Sequence, residues 1–452
     1  MDSIEKKIIQ IIEANKDEII DIGRDVYDHA EMGFKEYRTS QLVKEKLEKL
    51  GIPCSTGLAV TGVKGYLKPL KEQDCMIAVI GEMDGLPIDS HVHANPETGA
   101  SHCCGHNAQI AAMLGAAIAL SDPEVKNQLD GNIAFMAVPS EEYVDFEFKN
   151  DLMKQDIIKY GGGKSELIRI GAFDNVNIAI GHHITPDAPG YILANGTTNG
   201  FFNKIVNYYG KAAHAAAYPE KGKDALNAAM LAMHAIDMQR ETFKDEDSVR
   251  IHGFLSKAGE AVNVIAENTC MESSIRAKNI TALRDAGEKY NRSIRAGAVG
   301  MGCDAEIITM PGYLPTVPLK DTELLKSTLL ELSEENKLCG NEYPVEYRTE
   351  QFHEAGSTDY GDLSSMIPLY QFRTGGFSGE LHNSNFCVKD EQLAYVEAAK
   401  IYAILAYKLL KDHAKEALHV VEEFEPVMRK EKYCEYMESV NKIEHIYAEV
   451  DK

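Results

Sequence analysis

The amino-acid sequence predicts an α/β fold: a larger domain with a mainly parallel sheet flanked by helices, and a smaller α+β domain inserted into it. Three short, continuously apolar runs, at residues 76–80, 132–138 and 176–180, have the composition of buried parallel strands. Between about residues 194 and 311 the pattern changes to strand, helix, strand, helix, strand. Since 452 residues are too many for one ordinary core, we expect two domains.

The individual elements follow from the spacing of apolar residues. Near the amino terminus, residues 2–14 and 39–50 have helical periodicity, and Gly51 ends the second helix. The inserted region is predicted to contain strands at 200–209 and within 249–275, helices at 224–239 and 280–301, and a last strand at 305–309. The α/β pattern then resumes with a helix at 321–335, a strand near Tyr370 and a helix at 390–410. The tail from Lys411 onward is charged, and its composition predicts helix on the outside of the fold.

We expect the domain boundaries where the pattern of strands and helices changes, near residues 194 and 311. We predict a discontinuous larger domain formed by residues 1–195 and 312–452, and an inserted domain formed by residues 196–311.

Composition excludes several classes of function. The hydrophobic share of 44% and the charged share of 26% are those of a soluble globular protein. A formal net charge of -23 argues against general binding to nucleic acids or anionic membranes, because both require a positive field. The nine cysteines lack the spacing of a disulfide framework, which predicts a reducing compartment, the cytoplasm. The first residues contain no apolar signal segment and no run of ~20 apolar residues occurs, so we expect neither secretion nor a membrane span.

Each of the three buried strands runs into a group of side chains that can bind metal. The first leads to Glu82 and Asp84, the second to the pair 141–142 (Glu-Glu), and the third to the pair 182–183 (His-His). Because open α/β sheets bind ligands beyond the carboxyl ends of their strands, we expect these groups to meet at one edge. Adjacent glutamates on a loop are more often simply solvated, but after a buried strand one can ligate metal while its neighbour acts as a base.

The stretch 101–108 (Ser-His-Cys-Cys-Gly-His-Asn-Ala) connects a strand to an alanine-rich helix and carries two thiols and two imidazoles. A thiolate and an imidazole two residues apart can hold one borderline divalent metal. Cys104 with His106 forms such a pair, although the spacing alone also allows Cys103 and His102. His382 lies in a loop before the last long helix and is a further candidate.

Other interpretations of these residues are weaker. A structural zinc site usually has four ligands at short spacings, whereas these candidates include carboxylates and span much of the chain. A nucleophilic Cys104 has no orienting partner that the sequence identifies. Residues 161–165 (Gly-Gly-Gly-Lys-Ser) are not a phosphate-binding loop, because Ile158 occupies the position of its first glycine.

Taken together, the motifs resemble the amidohydrolase branch of the aminoacylase and carboxypeptidase metallopeptidases, which includes hippurate hydrolase, auxin-conjugate hydrolases and p-aminobenzoyl-glutamate hydrolase. The match covers roughly residues 15 to 410 in the family's order. The matching motifs are residues 24–36 with Met32-Gly-Phe34, Met83-Asp-Gly-Leu-Pro87, His102-Cys-Cys-Gly-His106, Pro139-Ser-Glu-Glu142, Gly181-His-His183, Gly210-Lys-Ala-Ala-His-Ala215, Asn263-Val-Ile265, Gly356-Ser-Thr-Asp359 and His382 with Phe386.

The resemblance implies two divalent metal ions per subunit, Zn²⁺ or Mn²⁺, and an inserted domain that serves as a lid and pairs subunits into a homodimer. It implies that Glu141 is the general base and that Cys104 bridges the metals. The implied metal ligands are Cys104, His106, Glu142, His183 and His382. It further implies that His214, from the lid of the partner subunit, stabilises the oxyanion, and that Asn263 and Arg276 bind the polar or carboxylate end of the substrate.

The resulting hypothesis is a metal-dependent hydrolase that cleaves the amide bond of an N-acyl or aroyl amino acid with a metal-activated water. One alternative is a dipeptidase selective for one terminal residue; another is a catalytically silent relative that binds a metabolite. Three departures from the family pattern bear on the substrate: Asn107 in place of an aspartate, Ala266 in place of a proline, and an extra segment at 143–160 that we expect to reshape the pocket rim.

Overall fold

The computed structural model of this protein describes residues 1–71 and 75–448. The chain divides into two compact units. Unit 1 comprises residues 1–197, 317–353 and 362–430, and unit 2 comprises residues 198–316, 354–361 and those from 431 onward.

Thirteen α-helices occur in the described residues. In chain order they are α1 Ser3–Ala14, α2 Lys16–Asp28, α3 Tyr37–Lys49, α4 His106–Leu120, α5 Pro123–Lys126, α6 Phe146–Lys154, α7 Gly163–Arg169, α8 Ala225–Met238, α9 Ile280–Met301, α10 Glu323–Leu338, α11 Tyr360–Ser364, α12 Ala398–Glu423 and α13 Lys430–Val440. A π-helix, Gln392–Glu397, leads directly into α12.

Seventeen strands occur in the same described residues. They are β1 Cys54–Leu58, β2 Gly62–Tyr66, β3 Met76–Glu82, β4 Asn132–Val138, β5 Ile178–Ile184, β6 Tyr191–Ala194, β7 Thr197–Thr198, β8 Gly200–Tyr209, β9 Arg250–Ala258, β10 Asn268–Ala277, β11 Asp304–Pro311, β12 Val345–Arg348, β13 His353–Glu354, β14 Leu369–Thr374, β15 Phe377–Ser378, β16 Cys387–Val388 and β17 Lys442–Ile446.

Unit 1 is built on an eight-stranded sheet in the order β1-β2-β4-β3-β5-β14-β6-β12. Its four central strands, β4, β3, β5 and β14, are parallel to their neighbours in that group. Every residue of β3 and β4 is buried, as expected for strands covered on both faces. Helix α4 is buried almost throughout and packs against β3, α2 and α12, which explains its alanine-rich sequence. The predicted α/β class with a mainly parallel sheet is confirmed.

Unit 2 contains a five-stranded antiparallel sheet in the order β17-β11-β8-β10-β9. Burial alternates strictly along β10, so one face of the sheet is covered and the other is not. Helices α8 and α9 cover the buried face and contribute mainly alanines to a separate core, together with Leu283, Tyr290 and Ile294.

Some elements differ from the sequence predictions. Helix α2, which buries Ile19, Ile22 and Val26 at helical spacing, was not predicted. The charged tail leaves the helical conformation at 411–414 and again after Glu423, and α13 ends at Val440; β17 then pairs with β11 and becomes an edge strand of the sheet of unit 2. None of the helices in the described residues has the length and apolar composition needed to traverse a lipid bilayer.

Candidate metal centre and active site

The candidate site lies where the central strands of unit 1 end. Asp84 follows β3, Glu141 follows β4, and His183 is the next-to-last residue of β5. Helix α4 begins beside them at His106, immediately after Gly105, whose φ is 85°. Glycine is required at that turn, because a Cβ atom would also lie 2.8 Å from a side-chain carbon of Ile184.

Five predicted metal ligands come together there in two groups. One group consists of Cys104, His106 and His183, and the other of Cys104, Glu142 and His382. Within each group the ligand atoms lie within 4.8 Å of one another. Cys104 is common to both groups, so its thiol occupies the position expected of an atom that contacts two ions.

His106 directs Nε2 at this cluster, because its other ring nitrogen, Nδ1, is hydrogen-bonded to Asp84. Its Nδ1 lies 2.8 Å from the backbone carbonyl oxygen of Asp84 and 3.3 Å from the carboxylate Oδ1 of the same residue. A carbonyl oxygen can only accept, so Nδ1 carries the proton and Nε2 carries a lone pair in the neutral ring. Nε2 is buried and makes no hydrogen bond to the described residues.

Asp84 links two of the ligands. Its Oδ2 accepts a hydrogen bond of 2.8 Å from the backbone N–H of Glu142, while Oδ1 faces His106. Burial by itself would raise the pKa of Asp84, but His106 and the Glu142 amide hold it at about 2. Asp84 is therefore an anion that lies behind the imidazole of His106, a predicted metal ligand.

The protonation states of the remaining ligands depend on burial. Burial and the nearby Arg373 lower the pKa of His183 to about 4, which keeps its imidazole neutral, as a metal ligand must be. Its Nδ1 contacts the carbonyl oxygen of Ile184 at 2.9 Å, and its Nε2 lies 3.4 Å from Cys104 Sγ. Burial and Glu142 raise the pKa of the Cys104 thiol, so a thiolate there requires a cation.

The loop that carries Glu141 and Glu142 is held in a strained conformation. Ser140 has a φ of 50°, which is uncommon for a residue with a side chain. Its backbone N–H donates a hydrogen bond of 2.8 Å to Glu36 Oε1, and the other oxygen of Glu36 accepts from Thr61. Both glutamates of the loop are 8% exposed, and Glu141 Oε2 lies 3.9 Å from His106 Nε2. Glu141 therefore lies beside the predicted ligands and belongs to neither of the two groups described above.

His382 reaches the cluster from a separate loop. Its φ is 61°, and its backbone N–H donates a hydrogen bond of 2.9 Å to the carbonyl oxygen of Cys103. Its Nε2 lies 3.2 Å from Glu142 Oε1, although the side chain is 52% exposed. The backbone bond explains how a ligand almost 300 residues further along the chain is fixed against the 101–108 stretch.

The alternatives left open by the sequence take other positions. Cys103 Sγ contacts the hydroxyl of Ser101 at 3.0 Å. His182 stacks on Phe372, and its Nε2 lies 2.8 Å from the hydroxyl oxygen of Thr374. His102 is buried, and neither ring nitrogen makes a hydrogen bond to the described residues. None of these three residues is in either ligand group.

The residues predicted to contact substrate from the inserted domain lie in unit 2. His214 is exposed and forms an isolated antiparallel bridge with Val264, while the amide of Ala215 donates to the carbonyl oxygen of Asn263 at 3.0 Å. His214 and Asn263 therefore lie on neighbouring backbone segments. Arg276, on β10, donates a hydrogen bond of 3.3 Å to the hydroxyl of Ser357.

The segment at 143–160 forms helix α6 and anchors one of the ligands. Lys149, on α6, is 1% exposed and donates a hydrogen bond of 2.7 Å to the carbonyl oxygen of Glu142. Burial lowers the pKa of Lys149 to about 8, although nearby carboxylates including Asp84 oppose the shift. The segment thus supports the backbone of Glu142, a predicted metal ligand.

Asn107 has an explanation within the fold. Its amide group donates to the carbonyl oxygen of Gly23 at 3.2 Å and to the hydroxyl of Tyr395 at 3.0 Å. A carboxylate has no proton to offer that carbonyl oxygen. The asparagine therefore matches the packing between α4 and α2, and its bearing on the substrate stays a prediction.

Sequence reasoning assigned no role to three buried residues at the site, Glu82, Lys164 and Lys149. Glu82 was noted at the end of a strand, but no motif singled it out as a ligand. The two lysines lack any local signal, since a lysine is normally exposed.

Comparisons with known proteins agree with the motifs. No protein-family model matches the chain. The Xaa-Arg dipeptidase of Mus musculus is 28% identical over 379 residues, which cover 80% of this chain and 74% of the relative. The IAA-amino acid hydrolase ILR1-like 2 of Arabidopsis thaliana is 26% identical over 433 residues, which cover 91% of this chain and 90% of the relative.

Solved structures agree on the fold. A dinuclear metal binding peptidase of the M20 family from Bacillus subtilis has a TM-score of 0.62 at 23% identity, covering 88% of this chain and 99% of its own. The aminobenzoyl-glutamate utilization protein of Klebsiella pneumoniae has a TM-score of 0.64 at 18% identity, covering 89% and 98%. The relatives confirm the predicted resemblance and the predicted enzyme class, a metal-dependent amidohydrolase, and the solved structures share the fold.

Proposed function

We propose that this protein hydrolyses the amide bond of an N-acyl or aroyl amino acid, using two divalent metal ions, Zn²⁺ or Mn²⁺. The observation that carries the proposal is the sharing of Cys104 by two groups of ligand atoms, with Glu141 beside them. The M20 peptidase from Bacillus subtilis, which has the same fold, is described as a dinuclear metal binding protein.

The donor atoms fit such ions. One thiol, three imidazoles and one carboxylate are ligands that zinc accepts, and the imidazoles and carboxylate also suit manganese. His106 Nε2 and Glu142 Oε1 are buried and make no hydrogen bond to the described residues. Buried polar atoms are normally satisfied, and a bound cation would satisfy both.

The chain's own residues supply the proton transfers. Two divalent ions, when bound, polarise the amide carbonyl and lower the pKa of the attacking water. Glu141 takes a proton from that water and delivers it to the leaving amine nitrogen. Asp84 holds the Nδ1 proton of His106 and so leaves Nε2 directed at the cluster, and the strained turn at Ser140 directly precedes Glu141.

The roles of residues in unit 2 are proposed from the resemblance alone. His214 of a partner subunit stabilises the oxyanion, and Asn263 and Arg276 bind the substrate's polar or carboxylate end. A homodimer follows from that assignment. The cytoplasm remains the proposed compartment, in keeping with the absence of disulfides among the nine cysteines of the described residues.

A dipeptidase is the second candidate, because one relative is named Xaa-Arg dipeptidase. Acyl amino acids and dipeptides with the same carboxyl-terminal residue, assayed side by side with Mn²⁺ and Zn²⁺, separate the two activities. Faster turnover of dipeptides would favour this second candidate.

Replacing the base tests the proposed chemistry. Glu141→Gln should keep the full metal content by mass spectrometry and lose about 10²–10⁴-fold in kcat, because only the proton acceptor is removed. Glu147→Gln, an exposed change in α6, is the matched control and should retain activity. A Glu141→Gln enzyme with wild-type kcat would exclude Glu141 as the base.

Complementation between subunits tests the dimer. Inactive His214→Ala chains mixed with inactive Glu141→Gln chains should recover part of the activity if one subunit completes the site of the other. No recovery, under conditions where mixed dimers are detected, would place the whole site in one chain.

A further inference from the structure

We propose that Glu82 is an additional ligand of the metal centre, at the ion held by His106. This inference rests on the proposed dinuclear function and names a carboxylate that neither the motifs nor the resemblance assigned. It concerns the last residue of β3, a fully buried side chain directed towards the cluster.

The position of Glu82 is the first argument. Its Oε2 lies 3.2 Å from His106 Nε2, and Glu141 Oε2 lies 3.9 Å from the same nitrogen. Glu82, His106 and Glu141 form a third group whose ligand atoms lie within 4.8 Å of one another. A separation of 3.2 Å suits two neighbouring ligands of one ion, because ligand bonds to zinc are about 2.0–2.2 Å long.

The chemistry of His106 is the second argument. Its Nδ1 donates to the carbonyl oxygen of Asp84, so Nε2 is the ring nitrogen that faces Glu82. A buried imidazole nitrogen and a carboxylate oxygen at this distance need a positive charge between them, which is a proton on Nε2 in the metal-free protein and a metal ion when one binds. Nε2 makes no hydrogen bond to the described residues, which leaves it available to that cation.

Two residues hold Glu82 in this orientation. Gln109, on α4, accepts a hydrogen bond of 3.2 Å from the Glu82 backbone N–H and donates one of 2.6 Å to Oε2. Lys164, on α7, donates to the other oxygen, Oε1. Because each carboxylate oxygen can accept more than one partner, Oε2 retains the capacity to bind an ion.

Lys164 also makes a fourth carboxylate, beside Asp84, Glu141 and Glu142, tolerable at this centre. Its side chain is fully buried and its positive charge balances that of Glu82, so the pair adds no net charge to the site. The lysine reaches Glu82 because α7 starts at Gly163, where a Cβ atom would lie 1.6 Å from the carbonyl oxygen of Pro139. Only glycine allows the two segments to approach so closely.

The competing explanation is that Glu82 serves only as the buried partner of Lys164. Removing one member of a buried ion pair is strongly destabilising, whereas removing both is often tolerated. Glu82→Gln and the double variant Glu82→Gln/Lys164→Met therefore distinguish the two explanations. Glu82→Asp keeps the charge but shortens the side chain, so it provides a third variant if the glutamine variant folds poorly.

The experiment measures affinity for each of two Co²⁺ or Zn²⁺ equivalents added to metal-free protein, with the Co²⁺ absorption spectrum as a second readout. Glu397→Gln is the matched control, since Glu397 is a fully buried carboxylate that accepts hydrogen bonds from Tyr191, Asn336 and Lys400. Wild-type protein that fails to bind two ions would contradict the proposed function itself, independently of Glu82.

We expect Glu82→Gln to weaken the binding of one of the two ions by more than about 100-fold. A loss of this size indicates a direct ligand, because residues behind the ligands typically contribute only about 10–100-fold to metal affinity. The same loss should persist in the double variant and in Glu82→Asp, with a changed spectrum for the affected Co²⁺ ion. The control should bind both ions as the wild type does. A smaller loss, or recovery of affinity in the double variant, would overturn the assignment and leave Glu82 as an ion-pair partner.

Discussion

Asp84→Asn perturbs the support of His106 while keeping the shape of the side chain. In the native site Asp84 Oδ2 accepts the Glu142 amide proton and Oδ1 faces His106 Nδ1 at 3.3 Å. In the variant the amide oxygen must take over the contact with Glu142. The NH₂ group then faces the proton on Nδ1, so a donor opposes a donor and the negative charge behind the ring is lost.

The size of the effect is limited by the backbone. The carbonyl oxygen of Asp84, 2.8 Å from Nδ1, remains in the variant and still selects the tautomer with a lone pair on Nε2. We therefore expect the loss typical of an outer partner, about 10–100-fold in metal affinity, or about 1.4–2.7 kcal/mol. Turnover at saturating metal should fall less than the affinity, because Glu141 is untouched.

Competition against a chromogenic chelator measures the metal dissociation constants of Asp84→Asn and of the wild type. Asp89→Asn, an exposed change a few residues further on, is the control and should behave as the wild type. Unchanged dissociation constants would refute the role of the Asp84 carboxylate. A natively folded variant that binds no metal would refute the claim that the backbone carbonyl suffices to hold the ring.

Two further predictions concern the shared ligand and a buried lysine. By mass spectrometry, the variants His183→Ala and His382→Ala should each bind one metal ion per chain, whereas Cys104→Ala should bind both ions more weakly. If Cys104→Ala loses only one ion and binds the other normally, the thiol is not shared. In unit 2, burial lowers the pKa of Lys204 to about 8, so the stability linked to this residue is complete above pH 10.5 and is lost as the pH falls through 8. The unfolding free energy of the wild type should therefore rise relative to that of Lys204→Met between pH 8 and 10.5, by at most about 1.4 kcal/mol per pH unit. Urea titrations followed by circular dichroism at several pH values measure both free energies. If they change equally with pH in the two proteins, the lowered pKa of Lys204 is contradicted.

The sequence analysis anticipated the parts of the site that depend on strand order. Glu142 and His183 follow or end buried parallel strands, and the carboxyl ends of such strands meet at one edge. Cys104 and His106 were identified as a pair because the turn before a helix limits where two side chains two residues apart can point. Choosing them over Cys103 and His102 required the family resemblance, since spacing alone allowed either pair.

The remaining features depend on contacts between residues distant in the chain. The direction of the Glu82 side chain is set by Gln109 and Lys164, which lie 27 and 82 residues away. The position of Lys149 required knowing that the 143–160 segment folds back on Glu142. Strand β17 was missed because its charged sequence, Lys442–Ile446, becomes a strand only by pairing with β11.

Reconstitution of the metal-free enzyme measures how many metal ions per chain the activity requires. Protein stripped with a chelator should be inactive towards acyl amino acids and dipeptides, and activity should return as Zn²⁺ or Mn²⁺ is titrated to two equivalents per chain. The Glu141→Gln variant should bind the same two equivalents without regaining activity. Full activity without metal, or saturation of activity and binding at one equivalent, would contradict a dinuclear site organised around Cys104.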